Sequence, residues 1–192
     1  MKYKPEEAVQ KATELFWEQG FQGTKMRDLQ AKLNMRPGSI YAGFGSKENL
    51  FRQALNFYVV QSLNNIDSFR KDTRSPLVAL RAFVESQIFA RGDIRNCRMC
   101  LLVKTLSETE NNNQALTSLA RSGLQRIENK FSTFFSEAQT MGLIDQAADC
   151  DRLGKWLQMQ IMGLVIYSKG LANPDDVSQM IEDIFTSIKL TH

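Results

Sequence analysis

The chain has 192 residues, with 24 Lys and Arg against 21 Asp and Glu, enough for one large domain or two small ones. A hydrophobic share of 43% and a charged share of 23% are ordinary for a globular protein, and no run of about 18 apolar residues is present to form a membrane span. Three cysteines, an odd number, fit a reducing compartment better than a disulfide framework. The polar residues 1–10 lack a signal-peptide core, so a cytoplasmic location is expected.

The charge is unevenly placed. Residues 1–52 carry nine Lys and Arg against six Asp and Glu, and the rest of the chain is balanced at fifteen of each. A basic head on a neutral body is the direction expected of a DNA-binding protein.

Strand signals are scarce, and capped helical periodicity recurs instead. The first helix is expected from Pro5 to about Gln19, with Ala8, Ala12, Leu15 and Phe16 inward and Gly20 as its stop. A short second helix follows Thr24 as cap, with Met26, Leu29 and Leu33 inward and Asn34 ending it in the left-handed conformation. A third covers about Pro37–Phe44 and breaks at Gly45. Ser46 then caps a fourth, which runs toward Ser68. Polar residues from Asp72 to Pro76 read as a linker. Four or five helices should follow. They are Leu77–Arg91 stopped by Gly92, about Met99–Glu108, and Gln114–Met141 between Asn113 and Gly142. Cys150–Lys169 comes next, capped by Asp149, and then Pro174–Leu190, capped by Asn173.

Thr24 to Phe44 has the proportions of a helix-turn-helix, whose second helix can enter a major groove about 12 Å wide. The resemblance is more specific than proportions. Gly20-Phe21-Gln22-Gly23-Thr24-Lys25-Met26-Arg27-Asp28-Leu29 resembles the approach to the second helix in the TetR family of transcriptional regulators. Pro37-Gly38-Ser39-Ile40-Tyr41-Ala42-Gly43-Phe44 is similar to that family's recognition helix, and Gly45-Ser46-Lys47-Glu48-Asn49-Leu50-Phe51 to its exit. The likeness covers roughly residues 5–55. Over residues 76–192 only helix number and length are similar.

The resemblance implies an all-α fold: a three-helix DNA-binding head with a helix-turn-helix, residues 1–50, and a helical-bundle ligand-sensing and dimerisation domain, residues 51–192. It implies that Thr24 and Lys25 meet a phosphate at a helix N-terminus, with Arg27 a further phosphate contact. Arg36, Pro37, Gly38 and Ser39 would approach base edges, Arg36 by a bidentate fork to guanine. Tyr41 and Lys47 would touch phosphates, and Ile40 and Phe44 would pack inward. Ala42 and Gly43 depart from the polar or aromatic pair common in the family. Either phosphate contacts are missing there, or Ala42 sits against a thymine methyl.

The implied partners are operator DNA, an unknown small-molecule effector, and a second copy of the chain. The homodimer would form through helices about 150–169 and 174–190, with Leu157, Ile161, Leu164, Ile181, Ile184 and Ile188 at helical spacing. Repression is the implied sign. Phe83, Met99, Cys100, Leu102, Phe131, Phe134, Trp156 and Met159 are candidate walls of an effector pocket, or simply core. Lys104 and Lys169 either face that pocket or reach the surface. No nucleophile–base pair or phosphate loop marks an enzyme, and no cofactor is implied. The only histidine is His192, so Cys97, Cys100 and Cys150 do not complete a metal site. The alternative is a redox- or electrophile-responsive regulator or interaction protein, signalling through Cys97 and Cys100 with Arg95 and Arg98 favouring the thiolate.

Overall fold

The computed structural model describes residues 4–71, 73–89, 92–170 and 173–190. Among these residues the chain is helical, with no strand. The elements are α1 (Pro5–Gly23), α2 (Met26–Leu33), α3 (Pro37–Phe44), α4 (Lys47–Ser68), α5 (Pro76–Phe89), α6 (Leu101–Thr109), α7 (Gln114–Thr140), α8 (Cys150–Gly170) and α9 (Pro174–Leu190). A short 3-10 turn, Ile94–Asn96, precedes α6. Asp72, Arg91 and His192, expected in the linker, at a helix end and at the chain terminus, lie outside the described residues.

The caps read from the sequence do the work expected of them. Ser46 Oγ accepts the Asn49 amide at 3.0 Å, Asn113 Oδ1 the Leu116 amide at 3.1 Å, Asp149 Oδ1 the Arg152 amide at 3.0 Å and Asn173 Oδ1 the Asp175 amide at 3.1 Å. Each satisfies a donor that the first helical turn leaves without a partner. Helix α2 differs by one residue. Its N-cap is Lys25, whose amide donates to Asp28 Oδ2 at 2.9 Å. Thr24 is buried, and its hydroxyl donates to the Gly20 carbonyl at 2.6 Å.

The chain divides into two compact units. One comprises residues 1–61 and 100–124, the other residues 62–99 and 125–192. The first unit therefore takes in α1–α3, much of α4, α6 and the start of α7. Its core is aromatic. Phe51 meets Phe16 edge-on at 4.7 Å between centroids and Phe21 at 4.9 Å, and Leu29, Ile40, Leu50, Leu101 and Leu102 are fully buried beside them. Trp17 and Tyr58 make a second edge contact at 5.1 Å. On the α6–α7 side the buried hydroxyls of Thr109 and Thr117 lie 3.0 Å apart, so each polar group is satisfied away from water.

The second unit is built on a ring series from Phe69 to Phe83 (5.9 Å) to Phe131 (5.8 Å). Phe134, Phe135, Leu157, Leu164, Val177, Ile181, Ile184 and Ile188 are buried with them. Ion pairs ring this core. Arg70 reaches Glu137 at 3.0 Å, Lys130 reaches Asp67 at 2.9 Å, and Arg81 bridges Glu85 and Glu182. All are partly exposed and contribute little individually. No described helix is long and apolar enough to cross a membrane.

Candidate nucleic-acid interface

The helix-turn-helix is formed by α2, a turn over residues 34–36, and α3. Asn34 adopts the left-handed conformation (φ 52°, ψ 46°), and the Met35 amide donates back to the Gln30 carbonyl at 3.2 Å. This six-to-one bond closes α2 and turns the chain sharply. Pro37 opens α3, where a missing amide hydrogen costs nothing. Ile40 and Phe44, four residues apart, are both buried, so one face of α3 is fixed against the head's core.

The opposite face is bare. Arg36, Pro37, Gly38, Ser39, Tyr41, Ala42 and Gly43 are all exposed, Tyr41 to 49%. Among the described residues no ion pair holds Arg36. Lys25 and Arg27 are exposed on the N-terminal turn of α2. Arg27 lies 3.6 Å from Asp28 with its side chain 78% exposed, too loosely held to hinder a phosphate contact. A short helix thus presents its N-terminal turn, an unpaired guanidinium and a tyrosine hydroxyl outward from a packed support. That is the geometry a major-groove reader requires.

The exit from α3 is also specified. Gly45 has φ 75° and ψ −53°, and the Ser46 amide donates to the Phe44 carbonyl at 2.9 Å. This is a γ-turn of the strained sign, in a backbone region that suits glycine. The Phe44 carbonyl also accepts the Asn49 side-chain amide at 2.9 Å, which ties α3 to α4.

Two expected DNA contacts are placed differently. The Thr24 side chain is buried and hydrogen-bonded, so its hydroxyl points away from solvent. Lys47 is half-buried, with Nζ 4.5 Å from the centre of the Phe21 ring. Burial lowers its pKa from the ordinary lysine value, and the nearby Glu108 carboxylate opposes that shift. Its charge is thus already partly satisfied within the head.

The candidate pocket residues fall in both units. Cys100 and Leu102 belong to the first. Phe83, Met99, Phe131, Phe134, Trp156 and Met159 belong to the second. Phe83, Phe131 and Phe134 are core. Met159 is 59% exposed on the outer face of α8. Of the six residues named for the dimer contact, Leu157, Leu164, Ile181, Ile184 and Ile188 are buried within the second unit. The exposed apolar residues of α8 and α9 are instead Met159, Ile166, Tyr167 and Met180. Helical periodicity finds the inner stripe of a helix, and an outer stripe on the same helix is masked by it.

Some buried polar residues were not singled out from sequence. Gln158 and Ser168 on α8 are buried, and Gln158 Oε1 and Ser168 Oγ have no hydrogen-bond partner among the described residues. Glu108, on α6, accepts two backbone amides of α1. Lys104 does not face a cavity. Its ammonium donates to the Glu18 carbonyl at 2.8 Å and the Trp17 carbonyl at 3.3 Å. Lys169 is exposed.

The cysteines are free. Cys97 is buried, and its thiol lies 3.4 Å from the Val165 carbonyl. Burial pushes the thiols of Cys97 and Cys100 up from the ordinary value. Arg95 pairs with Asp93 at 2.9 Å. The expected activation of a thiolate by arginine is therefore not favoured at Cys97.

Residues 8–54 match the family model for bacterial regulatory proteins of the tetR family. The chain is 26% identical over 183 residues to the HTH-type transcriptional repressor ComR of Escherichia coli (strain K12), covering 90% of this chain and 83% of that protein. It is 36% identical over 72 residues to the HTH-type transcriptional repressor BdcR of the same organism, which covers 37% of this chain and 36% of that protein. Among solved structures, the TetR family regulator CifR, as a cysteine mutant with a 26bp operator duplex, superposes with a TM-score of 0.82 at 21% identity, covering 97% of this chain and 98% of that one. A TetR family regulator from Cytophaga hutchinsonii gives 0.82 at 17% identity over the full length of both chains.

An all-helical chain whose basic head carries an exposed reading helix is a DNA-binding regulator of transcription. Over residues 8–54 this chain matches the tetR family of bacterial regulatory proteins.

Proposed function

We propose that the chain is a cytoplasmic repressor that binds a pseudo-palindromic operator as a homodimer and leaves it when a small molecule binds the second unit. The observation that carries this reading is the bare N-terminal face of α3, with Arg36, Ser39 and Tyr41 outward and Ile40 and Phe44 locked inward. Arg36 reads a guanine, Ser39 and the backbone at Gly38 approach base edges, and Lys25, Arg27, Tyr41 and Lys47 hold phosphates. Lys47 must leave the Phe21 ring to do so. For Thr24 we retain only a backbone role at the start of α2. Ala42 is small enough to lie against a thymine methyl. The repressors ComR and BdcR and the operator complex of CifR support this assignment by likeness.

Two copies of α3 need a two-fold partner to meet successive major grooves. We assign that contact to the outer face of α8 and α9, where Met159, Ile166, Tyr167 and Met180 are exposed. For the effector we retain the second unit, with Phe83, Phe131, Phe134, Met99 and Trp156 as apolar surroundings. Gln158 Oε1 supplies a buried acceptor that a ligand N–H or O–H would satisfy. Cys100 and Leu102, candidate pocket walls by sequence, belong to the first unit and are not part of this assignment. An effector acts only through its different affinity for the DNA-bound and released arrangements.

Repeated selection from a random duplex pool tests the reading. The expected result is enrichment of one sequence with two inverted half-sites about one helical turn apart. Recovery of no common sequence would exclude a sequence-reading head.

A further inference from the structure

Helix α1 is interrupted at Gly20, and α6 supplies both halves of the repair. Gly20 has φ 78° and ψ 175°, a region open essentially only to glycine. An unbroken helix would aim the Phe21 and Gln22 amides at the carbonyls of Trp17 and Glu18. Here both amides donate instead to Glu108 Oε2, at 2.7 and 3.0 Å. Those two carbonyls receive the Lys104 ammonium at 3.3 and 2.8 Å. Lys104 and Glu108 are four residues apart on α6 and so share one face. An anion meets the start of the new helical turn and a cation meets the end of the old one, each matching the local dipole.

A Cβ on Gly20 would stand 1.8 Å from Glu108 Oε1. The repaired turn, residues 21–23, leads directly into α2. Its Phe21 ring packs on Phe51 and carries Lys47, and the Glu108 charge acts on that lysine.

We propose that Glu108 and Lys104 are positioning residues for DNA reading. The α6 pair sets the direction in which the helix-turn-helix leaves α1, without touching DNA. This rests on the reading of α3 as the DNA reader.

The test uses the full-length protein with Glu108→Ala, Glu108→Gln and Lys104→Met. Amide hydrogen exchange at Phe21 and Gln22 is followed by NMR. Equilibrium binding is measured to the selected operator and to an unrelated duplex. Glu108→Ala is expected to speed exchange at both amides by about tenfold or more and to weaken operator binding by about tenfold. Binding to the unrelated duplex should hold or tighten, because a negative charge near a polyanion has been removed. Glu108→Gln keeps an acceptor and should recover most of the exchange protection and operator affinity. If Glu108→Ala does not fold, Glu108→Gln and Lys104→Met carry the test, with smaller effects of the same sign expected. Unchanged exchange at Phe21 and Gln22, unchanged operator affinity, or equal loss on both duplexes would overturn the proposal. If the wild-type protein shows no operator preference, the reading of the head fails, and exchange alone then decides whether α6 fixes the turn.

Discussion

Cys97 and Cys100 stand three residues apart just before α6, a spacing that invites redox chemistry, yet their surroundings oppose it. Burial is the largest influence on both thiols and pushes each pKa up. The Lys169 charge at Cys97, and at Cys100 the amides of Val103 and Leu102 and the Tyr58 hydroxyl, only partly counter it. A raised thiol pKa means less thiolate at neutral pH than in free cysteine. Any stability tied to these thiols is full below the ordinary thiol range and is lost as pH rises from that range through the raised native pKa. Iodoacetamide at neutral pH should therefore label both residues in the native protein at least about tenfold more slowly than in the urea-unfolded chain. Equal rates would show accessible, activated thiols and revive the redox reading. In the sequence, Arg95 and Arg98 on either side of Cys97 leave an activated thiolate open as the alternative to a plain core thiol. The partner of Arg95 is Asp93, two residues away, and adjacency along the chain did not reveal which charge each guanidinium meets. Thr24 illustrates the same limit. Its type suits a helix cap, but the break at Gly20 left a nearer acceptor for its hydroxyl.

At the scale of elements, most of the fold was legible because the signals are local. Ser46, Asn113, Asp149 and Asn173 each cap the helix that sequence placed after them, and Asn34 and Gly45 each take the positive φ that a sharp stop requires. Ser46→Ala removes the acceptor for the Asn49 amide and should cost about 1 kcal/mol of stability in urea unfolding. A change below about 0.3 kcal/mol would mean that water or the Ser46 carbonyl, which holds the Leu50 amide, replaces the cap. What local pattern could not show is long-range. The continuation of α1 beyond Gly20 depends on side chains 84 and 88 residues further along the chain, and only the spacing of Lys104 and Glu108 on α6 hinted that they act together. The 3-10 turn at Ile94–Asn96 is too short to produce periodicity. Helical spacing on α8 and α9 predicts an apolar stripe on each, and most of those residues are buried. Leu157, Leu164, Ile181, Ile184 and Ile188 pack within the chain, and the outward residues are fewer and less regular.

At the scale of the whole molecule, the packing units do not follow the chain order of a head and a body. The unit that contains the helix-turn-helix also includes residues 100–124, so α6 and the start of α7 belong structurally with it. The basic excess of residues 1–52 lies in that same unit, on the side of the sequence that carries Arg36, Tyr41, Lys25 and Arg27. Base reading by α3 can be tested in a single titration series. Wild-type protein and Arg36→Ala are titrated by fluorescence anisotropy against the selected operator and a set of its single-base variants, at fixed salt. Arg36→Ala is expected to lose roughly 1–3 kcal/mol on the operator and nothing further on the one variant that already lacks the contacted guanine. Equal affinity of the two proteins for every duplex, or a loss spread evenly over all of them, would contradict base reading by α3.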